Sequence, residues 1–482
     1  MPAPLKLISA TAKLAPKPKP VHLPDRLQCA FYAPGILSCF LGEAIMNREL
    51  SNEIRDIESA WKSDRWNGIV RPYTAEEVCR LRGSIRIDHT LAKLASEKLW
   101  NILQNEQYVH SLGAINGSQA VQMVRAGLKV IYLNGRQTDS ADIPAAQVQD
   151  SLSLAQSKIE PETVAGINRA LLRADQHNNA VEKGDIDWLT PVVAEGDGGP
   201  GHSLHAYELT KNMIEAGAAG LQLEDRLAVG RANAYVDWRA LVPTSQFIQT
   251  LVAARLASDV MGVPTVLIAR TAARNATLLT SDVDERDYRY ATGERTGLGH
   301  YWIRGSLETA IERALSFAPF ADMLCYETLT PDIGEAGKFA AAVRSEYPDK
   351  LMFYNCTPSS DWLKNLTADD MTAFHERLGR MGYRLQLVAK TGAQSPNSLT
   401  FHPPGASASE SAAYSGLQNN EMETEQYGQA SAGHHDSYNP SYFNEVSRLI
   451  SRTPQLVFAG GVTGNFRNAE QAGTAAQRIA NK

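Results

Sequence analysis

The chain lacks cysteines in any spacing that would staple it or coordinate a metal. Its five, Cys29, Cys39, Cys79, Cys325 and Cys356, lie far apart, with no C-x-x-C and no Cys/His cluster. Neither a disulfide framework nor a zinc site is expected, and a reducing cytoplasm fits this usage. A Lys/Arg-rich run is also missing and the formal net charge is -6, so the electrostatic footprint of a nucleic-acid partner is absent. The most apolar stretch, residues 29–46, is broken by Pro34, Gly35 and Glu43, which argues against a membrane span and so against a membrane partner.

What is present points to a large globular core, since 43% of the 482 residues are hydrophobic and 21% charged. Residues 1–24 hold Lys6, Lys13, Lys17 and Lys19, six prolines and no acid, a composition unable to bury its own core. We expect a disordered extension over 1–45, followed by a helical segment over 46–105 with helices near 48–63, 74–81 and 89–105, packed outside or below the main domain. From residue 110 short apolar runs alternate with helix-length amphipathic segments, the signature of βα units. The runs lie near 110–115, 129–133, 190–195, 220–224, 264–269, 322–326, 351–355 and 384–389, and helices are expected between them, for example at 205–218, 245–260, 307–317, 335–345 and 369–381. Eight such units predict a (β/α)8 TIM-type barrel over 106–399. Residues 400–482 read as a long Ser/Gly/Ala/His-rich loop or lid, carrying His434 and His435, and then C-terminal helices.

In such a barrel the reacting groups stand at the C-terminal ends of the strands. Those ends carry Tyr132, Asn134, Gly135 and Arg136, then Glu195 and Asp197, Glu224 and Asp225, Arg270, Glu327, and Asn355, Thr357 and Ser359. Several carboxylates in one mouth repel one another unless a cation sits among them, and hard oxygen donors without a soft ligand suit Mg2+ or Mn2+. Arg270, after the strand V-L-I-A, is placed for a two-pronged grip on a carboxylate of a small-molecule substrate. Any single acid here also has a plainer reading as a helix cap or surface charge, and Cys325 and Cys356 read as small core residues.

The ordered blocks W-K-S-D-R-W-N-G-I-V-R-P-Y at 61–73, L-R-G-S at 81–84, S-L-G-A-I-N-G-S-Q-A at 111–120, W-L-T-P-V-V-A at 188–194, L-E-D at 223–225, L-V-P-T at 241–244, G-V-P-T-V-L-I-A-R-T at 262–271, Y-E-T-L-T-P-D at 326–332 and Y-N-C-T-P-S at 354–359 resemble the isocitrate lyase family. The resemblance runs from about residue 61 to about 449. It implies a metal site at Asp150, Glu195, Asp197 and Glu224, and a substrate arginine at Arg270. It also implies site roles for Glu327, Tyr132, Asn355 and Ser359, and a homotetramer that exchanges C-terminal helices.

The departures from that family gather in the site. Its Asp-x-Glu is here Glu195-Gly196-Asp197, which moves each carboxylate by about a methylene against metal–oxygen distances of about 2.1 Å. Its Ser-Gly-Trp is Asn134-Gly135-Arg136, its Ser-Pro-Ser is Thr357-Pro358-Ser359, its eighth-strand Thr is Ala389, and its Asp-Gln-Ser-Leu stands one residue out of step at Asp150. Its Lys-Lys-Cys-Gly-His is Arg231-Ala232-Asn233-Ala234-Tyr235. Retro-aldol cleavage of a 2-hydroxy acid needs an acid for the carbanion left behind. Asn233 has no titratable proton where the family has Cys, and Tyr235 is the one nearby substitute. Two readings follow: a Mg-dependent carbon–carbon lyase whose substrate or proton donor has changed, or a non-catalytic paralogue that binds carboxylates or assembles with active subunits.

Overall fold

The computed structural model describes residues 50–114, 116–133, 156–181, 186–196, 203–227, 240–297, 299–328, 332–356 and 368–389. The expected extension over 1–45, the lid over 400–445 and the C-terminal helices lie outside them. The chain divides into two compact units, 1–63 and 64–482. In the first, residues 50–61 form helix α1.

The second unit opens with helices α2 (Ala75–Leu81) and α3 (Thr90–Asn105). The start of α2 is fixed by a capping box in which Thr74 and Glu77 each satisfy the other's backbone amide. Then come β1 (Val109–Gly113), α4 (Gly117–Arg125), β2 (Val130–Leu133), α5 (Gln156–Ala180), β3 (Val192–Gly196), α6 (Ser203–Glu215), β4 (Gly220–Glu224), β5 (Ala240–Leu241), α7 (Thr244–Met261) and β6 (Val266–Arg270). They are followed by β7 (Leu278–Leu279), β8 (Ala291–Arg295), β9 (Tyr301–Ile303), α8 (Leu307–Phe317), β10 (Met323–Glu327), α9 (Ile333–Glu346), β11 (Leu351–Asn355), α10 (Ala368–Met381) and β12 (Tyr383–Ala389).

Eight parallel strands close in the order β1-β12-β11-β10-β6-β4-β3-β2. The expected (β/α)8 barrel is therefore present, with each strand within about two residues of its expected place. Alternate strand residues serve two cores, because successive side chains in a strand point to opposite faces. Ile131, Leu133, Ala194, Leu221, Leu223, Leu267, Ala269, Leu324 and Tyr326 pack outward on the helices. Val130, Tyr132, Val193, Ile268, Met323, Cys325, Phe353 and Leu385 fill the interior, joined by Ala95, Leu99 and Leu103 of α3.

Helix α3 thus closes the N-terminal end of the barrel. Its close approach accounts for Gly220: a Cβ there would stand 3.2 Å from Leu99 Cδ2 and 3.0 Å from the Val266 carbonyl. The same end is braced by Asp322, which accepts from Arg65 Nη1 at 2.6 Å, Arg255 Nη2 at 2.5 Å and the Leu267 amide at 2.7 Å. Burial alone would raise the Asp322 carboxyl, but Arg255 and Arg65 beside it hold it well below the usual carboxylate range. Arg71 and Tyr73 both donate to Asp259 at 2.8 Å, and the guanidinium groups of Arg65, Arg71 and Arg255 lie over the Trp66 ring. The 65–73 part of that sequence block is therefore a structural brace at the face opposite the site.

A second sheet, β5-β7-β9-β8, was not expected from the sequence. Its strands β5 and β7 are two residues long, too short to carry a period. Among the described residues no helix is long and apolar enough to cross a membrane.

Candidate active site

At the C-terminal mouth the strand register sets the side chains out in rows. Glu195 stands beside Gln222, Glu224 beside Arg270, and Glu327 beside Asn355. Arg270, 9% exposed, donates from Nη1 to Glu195 Oε1 at 3.0 Å, and its Nε lies 3.6 Å from Glu224 Oε1. The second oxygen of Glu224 takes Arg226 Nη2 at 3.0 Å. Two acids and Arg270 from three adjacent strands therefore converge on one point. Gly196, between Glu195 and residue 197, packs closely against the wall: a Cβ would stand 2.8 Å from Leu221 Cδ1, so that side chain would have to shift.

Tyr132 lies on the inner face of β2 and is 2% exposed. Burial pushes its phenol well above the ordinary value, and the charge of Glu195 adds to that, with Arg270 opposing. It is therefore protonated across the neutral range and suited to donate a hydrogen bond rather than to act as a base. Asn355, 7% exposed, ends β11. Glu327 ends β10, where only its backbone is described.

The remaining expected residues, Asn134, Gly135, Arg136, Asp150, Asp197, Asn233, Tyr235, Thr357 and Ser359, lie outside the described residues. So two of the four expected metal ligands, Glu195 and Glu224, are in view, and both meet Arg270. Their donors are all oxygen, which fits a hard divalent cation. Among the described residues no group of three His, Cys, Asp or Glu side chains is disposed to hold a metal ion.

Asp225 corrects the sequence reading, in which it stood beside Glu224 as an acid presented to the metal. It is fully buried and turned into the wall. It accepts from Thr271 Oγ1 at 2.7 Å, the Ala272 amide at 2.8 Å and Arg313 Nε at 2.8 Å. Arg313 also donates from Nη1 to Asp287 Oδ1 at 2.6 Å and from Nη2 to the Val242 carbonyl at 2.7 Å. Asp287 in turn caps the start of α7, accepting from the Thr244 amide and hydroxyl at 2.8 Å each. The Val242 amide donates to the Asp225 carbonyl and the Leu227 amide to the Ala240 carbonyl. One guanidinium thus ties together both ends of the 228–239 connection.

Cys325 and Cys356 are buried free thiols, as expected. Burial raises the Cys356 thiol well above its usual range, so that thiol is poorly disposed to act as a nucleophile. Sequence reasoning missed Gln222, a polar residue on the inner face of β4 that is 1% exposed. A glutamine at a core position of an otherwise apolar strand is the signal that marked it.

A model of the isocitrate lyase family matches residues 53–296 and 290–453. The isocitrate lyase of Halalkalibacterium halodurans is 43% identical over 416 residues, covering 86% of this chain and 97% of that protein. Isocitrate lyase 1 of Mycobacterium tuberculosis is 41% identical over 412 residues, 84% of this chain and 96% of that protein. Among solved structures, oxaloacetate acetylhydrolase with its product oxalate aligns over 74% of this chain and 95% of its own, at 21% identity and a TM-score of 0.41. A 2,3-dimethylmalate lyase aligns over 77% and 99%, at 17% identity and 0.42.

Proposed function

This chain belongs to the isocitrate lyase family, and so to the carbon–carbon lyases, and from that premise we propose that it cleaves a 2-hydroxy di- or tricarboxylate other than isocitrate, releasing glyoxylate or another 2-oxo acid. The observation that carries the reading is the meeting of Arg270 with Glu195 and Glu224 at three neighbouring strand ends, combined with Asn233 where the family has its cysteine.

Glu195 and Glu224, with Asp150 and Asp197, would hold Mg2+ or Mn2+. Such a cation supplies charge stabilisation for the alkoxide and the oxo acid it becomes. Arg270 grips a substrate carboxylate in two-pronged fashion. Arg136, where the family has Trp, adds positive charge and favours an extra anionic group, with Asn134 and Gly135 beside it. Asn355, Thr357 and Ser359 hold the far carboxylate. Tyr132 donates a hydrogen bond from its protonated phenol, Glu327 handles a proton at the departing fragment, and Tyr235 stands in for the missing thiol. We further propose a cytoplasmic homotetramer.

The test is purified protein with Mg2+ and a panel of 2-hydroxy acids including isocitrate and 2-methylisocitrate, read as released 2-oxo acid. Turnover of another panel member above isocitrate is expected. The paired change Asn233→Cys and Tyr235→His should raise isocitrate cleavage by about 10²–10⁴-fold, the worth of a positioned acid. A second reading, a non-catalytic carboxylate-binding paralogue, is favoured by the joint loss of the family's Cys, His and Ser-Gly-Trp. Binding without turnover on every substrate, before and after the paired change, would establish it.

A further inference from the structure

Gln222 raises a question that the metal and arginine arrangement leaves unanswered. It sits on β4, one pleat below Glu224, about 6.6 Å along the strand, with Glu195 and Ile268 as its lateral neighbours. It is 1% exposed, and among the described residues neither its Nε2 nor its Oε1 has a hydrogen-bond partner. The rest of the barrel interior is filled by apolar side chains such as Val193, Ile268, Cys325 and Phe353. A buried carboxamide with both its donor and its acceptor unsatisfied is destabilising, whereas an apolar side chain of the same size there is neutral or better. Directly beneath the acids of the site, such a group is open to a partner carried by a ligand.

We propose that Gln222 is a specificity-determining residue of this mouth, reading the hydroxyl and carboxylate of a bound 2-hydroxy acid. The match is chemical. A 2-hydroxy acid presents an O–H donor and a carboxylate acceptor on adjacent carbons. Gln222 Oε1 accepts from the hydroxyl while Nε2–H donates to the carboxylate oxygen. A carboxylate without the hydroxyl satisfies half of the carboxamide and leaves the other half buried and unpaired, which is the arrangement that discriminates most sharply. The proposal rests on the hydroxy-acid reading of the site given above.

The experiment is calorimetric titration of the full-length protein in Mg2+ with malate and with succinate, which differ by one hydroxyl. The wild type is expected to bind malate about tenfold more tightly, the worth of one hydrogen bond. Gln222→Leu and Gln222→Met should bring that ratio close to one, with succinate affinity kept and the melting temperature equal or higher. A ratio unchanged in the variants, a wild-type ratio near one, or marked destabilisation in both variants would each show that the carboxamide pairs within the protein, and would overturn the assignment while leaving the site reading intact. Failure of the wild type to bind either acid in Mg2+ would overturn the site reading and this assignment with it.

Discussion

Arg270 is the cation on which Glu195 and Glu224 both lean, one at hydrogen-bond distance and the other at 3.6 Å. A planar guanidinium holds two carboxylates in fixed directions, whereas a lysine ammonium offers charge without that fork geometry. Arg270→Lys should therefore weaken succinate binding in Mg2+ by about tenfold or more, measured by calorimetry, while leaving the melting temperature within a few degrees. At this scale the sequence placed Glu224, Arg270 and Asn355 at strand ends, and the structure has each of them there. The sequence failed at Asp225, one residue past Glu224. The inner-face alternation ends there, and only the partners Thr271, Ala272 and Arg313 decide that the carboxylate turns into the wall. Gln222 went unread for the opposite reason: a single polar residue inside an apolar run looks like noise until both its neighbours and its missing partners are known.

The elements that matter for the site are β4, the connection after it and α8, which carries Arg313. Asp225 and Asp287 are both buried against that one guanidinium. Arg313→Met leaves two buried carboxylates without their cation, and should cost about 3–5 kcal/mol of stability in urea denaturation. Arg313→Lys, which keeps the charge but not the three-way fork, should fall between it and the wild type. An unchanged denaturation midpoint in Arg313→Met would show that the network adds nothing to stability. The barrel strands and helices were legible because each is long enough to show its period, 2 for strands and about 3.6 for helices. β5 and β7 were not, since two residues have no period. They are strands only because the chain passes beside Leu278–Leu279 and Tyr301–Ile303.

Across the whole molecule, stability should depend on acid through a buried histidine. His375 packs in the layer between α10 and the barrel, with His110, Gln386 and Cys356 around it. Burial lowers its imidazole to about 3, helped by His110 and opposed by the hydrogen bond to Gln386. The folded pKa lies below the unfolded one near 6.5, so the native state holds His375 neutral. Its contribution is present above pH 6.5 and is lost as the pH falls from 6.5 toward 3. At pH 5 the loss is about 2 kcal/mol. Comparing denaturation midpoints at pH 7.5 and pH 5 should show that decline in the wild type and a flatter dependence in His375→Asn. An equal decline in both would assign the acid sensitivity to other groups.

By itself the sequence determined the barrel, the set of strand-end residues available for chemistry and the family, because periodicity, strand-end position and ordered motifs are local and survive without coordinates. It also determined that Asn233 stands where a thiol proton donor is expected. Tertiary structure alone decided which of those strand-end groups meet. It set Arg270 between Glu195 and Glu224, removed Asp225 into the wall, made residues 65–73 a brace at the opposite face, and left Gln222 buried without a partner among the described residues. Each of those outcomes depends on which side chains from distant parts of the chain come within hydrogen-bond reach. That reach is set by the closure and register of the sheet, which no local pattern encodes.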